Sequence, residues 1–183
     1  QSVIEVTEES TVSQGTLEIE ESFALTAKNS ILFQKSKLST GTLEIAAKDF
    51  TASESKVNVR TDAVIDALRF DIMNESVLEA EFCDLKKVNE LHLSNGGVGV
   101  STIKASSLLF NEDGEIHVAG GRIESKSRIT LPLVRLVRKV ASSNFEILAP
   151  DHFVRMRADV NLKYLNPIHI KASVLDFTFD PNE

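Results

Sequence analysis

A short stretch of alternating apolar and polar residues recurs along the chain, and this recurrence limits the folds that are open to it. Gly15-Thr16-Leu17-Glu18-Ile19 returns 26 residues later as Gly41-Thr42-Leu43-Glu44-Ile45. The leucines that anchor successive runs lie 26, 25, 23 and 17 residues apart, at Leu17, Leu43, Leu68, Leu91 and Leu108. Such short alternating runs, bounded by Ser, Asn, Asp and Gly, predict short β-strands with one buried side.

A period of about 20–25 residues is what one turn of a β-solenoid requires. A single turn cannot bury its apolar side, whereas stacked turns share one apolar column and pair their backbones through parallel ladders. We therefore predict an all-β fold, a right-handed β-solenoid-like stack of short strands. A β-sandwich is the alternative, because sandwich strands also recur every 8–12 residues or so. Asp113-Gly114 carries a hairpin-type turn signal, which predicts one local antiparallel pair.

The residues after Thr130 follow different patterns. Helical spacing predicts a short amphipathic helix over 131–141, with its apolar positions at Leu133, Leu136, Val137 and Val140. Strict alternation then predicts a long antiparallel hairpin over 153–179 with one solvated face, broken at Asn166-Pro167. The chain accordingly divides into a repetitive short-strand β domain, 1–130, and a helix-plus-hairpin segment, 131–183, that packs on the same domain.

Charge is unevenly distributed along the chain. Residues 1–90 hold 17 acidic and 9 basic residues, whereas 91–183 hold 10 acidic and 11 basic ones. A basic surface is predicted near the end of the chain, from Arg128, Arg135, Arg138, Lys139, Arg155 and Arg157. We expect a solvated face that pairs in part with the acidic first half, with an anionic lipid as the next candidate partner. Because few aromatic or glycine residues accompany the basic ones, nucleic acid is not an expected partner.

The residues that catalysis or metal binding would need do not occur at compatible spacing. Cys83 is the one cysteine and lies among apolar residues, so it is predicted to fill the core. His92 and His117 each sit between apolar strand residues and are expected to point to solvent, meeting only if turns stack. With no Trp and one Tyr, a sugar-cleaving cleft is not favoured. We predict no enzyme, no catalytic or metal-binding residue and no cofactor.

Three stretches between 63 and 121 resemble the head domains of a family of bacterial autotransporter adhesins, named for a Gly-Ile-Asn motif. They are Leu68-Arg69-Phe70-Asp71-Ile72, the run 87–98 with its Ser94-Asn95-Gly96-Gly97 turn, and 114–120. The resemblance implies a β-solenoid at the cell surface and no catalytic residue. The Gly-Ile-Asn motif itself is missing from this sequence.

The final strands have a second similarity. Long amphipathic strands followed by Asn166-Pro167-Ile168 look like immunoglobulin-like domains of the late-embryogenesis-abundant type, and like the curved sheets of repeating-groove lipid-transfer proteins. Either similarity implies an apolar groove along Val154, Met156, Ala158, Val160 and Leu162.

Two functions follow from these patterns. The first is a non-enzymatic structural or adhesive module that contacts a protein or cell-surface partner, or a second copy of itself, through its surface and edge strands. The alternative is a binding or transfer protein for a lipid or another apolar ligand, with its groove between the predicted helix and hairpin. The chain begins at Gln1 without an initiator Met, which indicates either a processed protein or a piece excised from a longer one. We expect an extracytoplasmic protein, secreted, periplasmic or at the cell surface, from which any signal peptide has been removed.

Overall fold

The computed structural model describes residues 2–96, 99–136, 144–159 and 168–180. These residues form fourteen β-strands of one continuous sheet, and there is no helix among them that could span a membrane. The strands are β1 (Ser2–Val6), β2 (Glu9–Ser13), β3 (Thr16–Ala27), β4 (Ser30–Gln34), β5 (Lys37–Ser53), β6 (Lys56–Val59), β7 (Asp62–Met73), β8 (Val77–Ser94), β9 (Thr102–Phe110), β10 (Glu115–Ala119), β11 (Gly121–Ser125), β12 (Ile129–Leu136), β13 (Phe145–Ala158) and β14 (Ile168–Phe179).

Every pairing between the described strands is parallel. Apart from β1 and β2 at one end and β14 at the other, each strand stacks on a strand one turn earlier in the chain and is covered by another one turn later, as β3 pairs with both β1 and β5. The result is a β-solenoid of about eight turns. The predicted solenoid is therefore confirmed against the β-sandwich, whose two sheets are antiparallel. Its right-handed winding stays a prediction.

A complete turn contributes three short strand segments, which stack into three faces. In one turn these segments are 56–59, 62–67 and 69–73, and we name the faces to which they belong the first, second and third face. The registers keep equivalent side chains in line along the stack. On the first face the inward column contains Leu17, Leu38, Val57, Leu78, Ile103, Ile123, Ile147 and Ile170.

The inward columns of the three faces form a single apolar core. On the third face the rings of Phe50 and Phe70 from adjacent turns are stacked, with centroids 4.8 Å apart, and Phe33 meets Phe50 edge to face at 5.3 Å. All three rings are fully buried. Because each turn can bury its apolar side only against its neighbours, this shared core stabilises the stack rather than any single turn.

Buried serines close the corner where the third face leads to the first face of the next turn. They form a ladder along the stack, at Ser36, Ser55, Ser76 and Ser101. The Ser36 amide donates to Oγ of Ser55 at 3.2 Å, and the Ser55 amide donates to Oγ of Ser76 at 3.0 Å. The residue before the corner serine adopts a left-handed backbone, with φ of 51° at Lys35 and 49° at Glu54. The short hydroxyl satisfies backbone groups that face inward where the strand ladder is interrupted.

The predicted helix over 131–141 is wrong for its described part. Residues up to Leu136 belong to β12, which pairs with β10 on one side and β13 on the other. Leu131, Leu133 and Val134 are all buried, so the run has apolar residues on both sides of the strand and imitates helical spacing. Val137, Arg138, Lys139 and Val140 lie outside the described residues. The described strands after residue 130 continue the same stack.

The predicted antiparallel hairpin over 153–179 is also wrong. β13 and β14 are parallel, with Phe145 paired to Ile168 and Ala158 to Phe179, so they are successive turns of the solenoid. The predicted apolar groove is not formed by its described members, because Val154, Met156 and Ala158 point into the core and are buried. Val160 and Leu162 lie outside the described residues. Alternation located the apolar side correctly, but that side packs on the neighbouring turns.

The Asp113-Gly114 turn does not join an antiparallel pair. β9 pairs with β8 and β11, whereas β10 pairs with β8 and β12, so the turn is a corner between two faces. Gly114 donates its amide to Asn111 O at 3.1 Å. A Cβ at Gly114 would lie 2.7 Å from Asn89 O in the turn below, so the stacking of corners requires glycine there.

Candidate functional site

A cluster of charged side chains lies on the outer side of the third face, midway along the stack. Two adjacent outward rows supply it. The strand registers place Arg69, Glu90 and Glu115 in one row, and Asp71, His92, His117 and Arg135 in the other. We call these seven residues the histidine cluster.

The local sequence places a glutamate beside a histidine twice. Glu90-Leu91-His92-Leu93 in β8 and Glu115-Ile116-His117-Val118 in β10 both alternate, and their apolar members are buried. Because successive strand residues point to opposite sides, the glutamate and histidine of each strand point outward. The β8–β10 register then places His117 directly on His92.

The two imidazole rings are stacked between adjacent turns. Their centroids lie 4.6 Å apart with an interplanar angle of 13°. Each histidine side chain keeps 22% of its surface exposed. Nε2 of His92 lies 3.3 Å from Oε2 of Glu90, and its Nδ1 lies 3.8 Å from Oδ1 of Asp71. His92 therefore has a carboxylate on each side of its ring.

Two arginines hold the carboxylates on either side of the rings. Nε of Arg69 donates to both carboxylate oxygens of Asp71, at 2.9 and 3.0 Å. Arg135 makes a bidentate contact with Glu115, from Nε to Oε2 at 2.8 Å and from an Nη atom to Oε1 at 3.0 Å. Paired guanidinium–carboxylate contacts of this kind fix the orientation of both partners. The histidines thus lie between two oriented ion pairs.

The surroundings of His92 favour its neutral form. Burial is the largest effect and lowers the pKa of His92 below its ordinary value of 6.5, and the positive charge of Arg69 lowers it further. The hydrogen bond with Glu90 and the charge of Asp71 oppose these effects, and His117 adds to the lowering. The ring is consequently neutral near pH 7, the form in which imidazole coordinates a metal.

Three side chains of the cluster offer metal-ligating atoms close together. One donor atom from each of Glu90, His92 and His117 lies within 4.8 Å of the other two. Nε2 of His117 is buried and has no hydrogen-bond partner among the described residues. Oε2 of Glu115 lies 3.1 Å from it, but the two atoms are not aligned for a hydrogen bond, and that oxygen already accepts from Arg135.

The described members of the predicted basic surface lie in or beside the paired strands β12 and β13. Arg128 and Arg157 are exposed. Arg135 belongs to the histidine cluster, and Arg155 pairs with Asp176 at 2.9 Å while its guanidinium lies 5.6 Å from the centroid of the Phe153 ring. Arg138 and Lys139 lie outside the described residues. The described arginines therefore form ion pairs at two of four positions, and their acidic partners Glu115 and Asp176 come from the second half of the chain, not from the acidic first half.

The sequence made a contact between His92 and His117 conditional on the stacking of turns, and the pairing of β8 with β10 provides that contact. Their separation of 25 residues matches the spacing between the leucine anchors of the repeat, and each follows a glutamate by two positions. That shared spacing is the signal that could have placed them together. Cys83 lies where it was predicted, fully buried in the core, and burial raises the pKa of its thiol to about 12.

The two ends of the stack form a second candidate site. Among the described residues, five of the seven exposed large apolar side chains belong to the first strand or the last one: Val3 (57% exposed), Ile4 (46%), Val174 (57%), Leu175 (46%) and Phe179 (48%). The other two are Leu68 and Leu109, which lie midway. The outer edges of β1 and β14 also pair with no other described strand.

Comparison with known proteins adds no family assignment. No protein-family model, curated protein or solved structure matches the chain.

Proposed function

We propose that this protein is a structural or adhesive module that acts through the edge strands at its two ends, by stacking head to tail on further copies of itself. The observation that carries the proposal is the apolar surface at both ends, where a turn lacks the neighbour that covers it elsewhere. In this proposal the protein is non-enzymatic and extracytoplasmic, as a β-solenoid resembling adhesin head domains implies. The groove predicted for an apolar ligand gives no support to the alternative, because its described residues are buried.

The parallel arrangement supports a second copy as the occupant of each end. In a parallel stack, the edge that a turn offers to the next turn differs from the edge that it offers to the previous one. The first and last strands therefore present opposite edges, and each end complements the other end rather than itself. Contacts between unlike surfaces do not close into a two-fold dimer; they extend as an open assembly, or form a ring where the rotation between copies closes.

Sedimentation velocity over a range of concentrations tests the proposal. We expect the wild-type protein to form a concentration-dependent series of oligomers and Leu175→Lys to remain monomeric. A charge in place of Leu175 disrupts the end surface without touching the core, because that side chain is half exposed. Leu68→Lys is the matched control: it replaces an exposed leucine midway along the stack (53%) and should assemble like the wild type.

A mixing experiment tests the head-to-tail polarity. Ile4→Lys blocks one end and Leu175→Lys blocks the other, so each variant alone should be monomeric. A mixture of the two should form a 1:1 dimer and nothing larger, because one intact end of each kind remains. A wild-type protein that stays monomeric at high concentration, or a mixture that shows no dimer, overturns the proposal.

A further inference from the structure

We propose that Glu90, His92 and His117 bind one divalent transition-metal ion of the zinc class on the third face of the solenoid. This inference is independent of the end-to-end contacts, because the histidine cluster lies midway along the stack. The ion would join the strands β8 and β10 of two adjacent turns through side chains that the sequence separates by 25 residues.

The donor set suits a metal ion that is intermediate between hard and soft, such as Zn²⁺. Two imidazoles and one carboxylate are a known protein ligand set for Zn²⁺, and imidazole also suits Cu²⁺, Ni²⁺ and Fe²⁺. A metal bound at 2.0–2.1 Å needs its donors roughly 3.3 Å apart in a tetrahedral site. The three donors lie within 4.8 Å of one another, so side-chain rotation has to bring them closer together before they hold one ion. Hard cations such as Ca²⁺ prefer six or more oxygen donors, and this set does not provide them.

Ring orientation identifies the movement that binding requires. The imidazole planes differ by only 13°, so their in-plane lone pairs are nearly parallel and do not converge on one point. At least one ring must turn about χ2, a torsion with a broad energy minimum. The rings are on the outer side of the face and partly exposed, so this rotation does not disturb the core.

An independent observation points to a ligand at this position. Nε2 of His117 is buried and finds no hydrogen-bond partner within the described part of the chain, which is uncommon for a polar atom in a folded protein. The nearby carboxylate of Glu115 is held by Arg135 at both oxygens. A metal ion between His92 and His117 would satisfy the lone pair of that nitrogen.

The charge balance and the surrounding contacts also favour a cation. Asp71, Glu90 and Glu115 bring three carboxylates to the cluster and Arg69 and Arg135 bring two guanidinium groups, so the carboxylates outnumber the guanidinium groups by one. Asp71 lies 3.8 Å from Nδ1 of His92, on the opposite side of the ring from Glu90. A carboxylate behind a ligating histidine is the usual outer-shell partner, since it orients the ring and raises its basicity.

Isothermal titration calorimetry of the metal-free full chain with ZnCl₂ tests the proposal. We expect saturable binding of one Zn²⁺ per chain. His92→Asn and His117→Asn should each weaken the affinity by at least about 100-fold, since even outer-shell partners contribute roughly 10–100-fold. Glu90→Gln should weaken the affinity by roughly tenfold or more. This variant should fold like the wild type, because the Glu90 side chain is about half exposed (54%) and lies outside the core.

The control variants are His152→Asn and His169→Asn, which remove the two remaining histidines, both remote from the cluster in the strand register. Each should bind Zn²⁺ like the wild type, as should the end variant Leu175→Lys. A second readout is the urea midpoint, which Zn²⁺ should raise in the wild type and leave unchanged in the His92→Asn, His117→Asn double variant. Absent saturable binding, binding that the folded double variant retains, or binding that the control variants lose would each overturn the proposal.

Discussion

Replacing Ser55 with alanine should destabilise the solenoid although it removes a single oxygen atom. Ser55 is fully buried, and its Oγ accepts from the Ser36 amide at 3.2 Å and donates to Ser53 O at 2.8 Å. The Ser36 amide has no other hydrogen-bond acceptor among the described residues. Leaving a buried donor unsatisfied costs about 1–3 kcal/mol, whereas Ser53 O keeps the Lys35 amide as a donor. We therefore expect the free energy of unfolding to fall by about 1–3 kcal/mol.

Urea denaturation followed by circular dichroism measures this change. Ser39→Ala is the matched control, because Ser39 is exposed on the first face; its effect should lie within about 0.5 kcal/mol of zero. The hydroxyls of Ser36 and Ser55 also contact each other at 3.2 Å, so Ser36→Ala and Ser55→Ala should not be additive in a double-mutant cycle. A Ser55→Ala protein as stable as the Ser39→Ala control would refute the role of the serine ladder.

Two further outcomes follow from the shifted pKa values. Cys83 should react with iodoacetamide only as fast as the protein unfolds, because its thiol is buried with a pKa of about 12; rapid alkylation under native conditions would contradict this. In metal-free buffer, the free energy of unfolding should fall as the pH drops below about 6.5. The reason is that His92 has a lowered pKa in the folded protein, so the unfolded chain binds a proton there at a higher pH than the folded chain does. When the pH is lowered from about 7.5 to about 5.5, the free energy of unfolding measured in urea titrations should fall less for the His92→Asn variant than for the His169→Asn variant. An equal fall in both variants would refute this account.

The recurring alternation was sufficient to predict the stacked fold and most of the core. The anchor leucines themselves do not stack on one another: Leu17 lies on the first face, Leu43 on the second and Leu91 on the third. Their spacing indicated the approximate length of a turn, but not which residues are in line along the stack. The sequence patterns gave wrong predictions where two different structures produce the same spacing of apolar residues. In β12, apolar residues on both sides of a covered strand, such as Leu133 and Val134, gave a spacing that resembles that of a helix. Around Val154, the alternation of apolar and polar residues does not depend on whether the neighbouring strand is parallel or antiparallel, and so it could not predict the parallel pairing.

In the histidine cluster, too, the sequence predicted the direction of the side chains but not which of them meet. Alternation correctly predicted that His92 and His117 point outward. Their contact, however, depends on the register between β8 and β10, which pairs residues 25 positions apart. A one-residue change in that register would place an apolar residue beside each histidine.

The repeat in the amino-acid sequence was thus enough to select short strands, their buried sides, the turn length and the burial of Cys83. All of these follow from the spacing of apolar residues within one turn. The direction of neighbouring strands, the pairing of His92 with His117 and the exposure of both ends were decided by tertiary stacking. They depend on which turn lies next to which, and that is set by the summed packing and hydrogen bonding of all the turns.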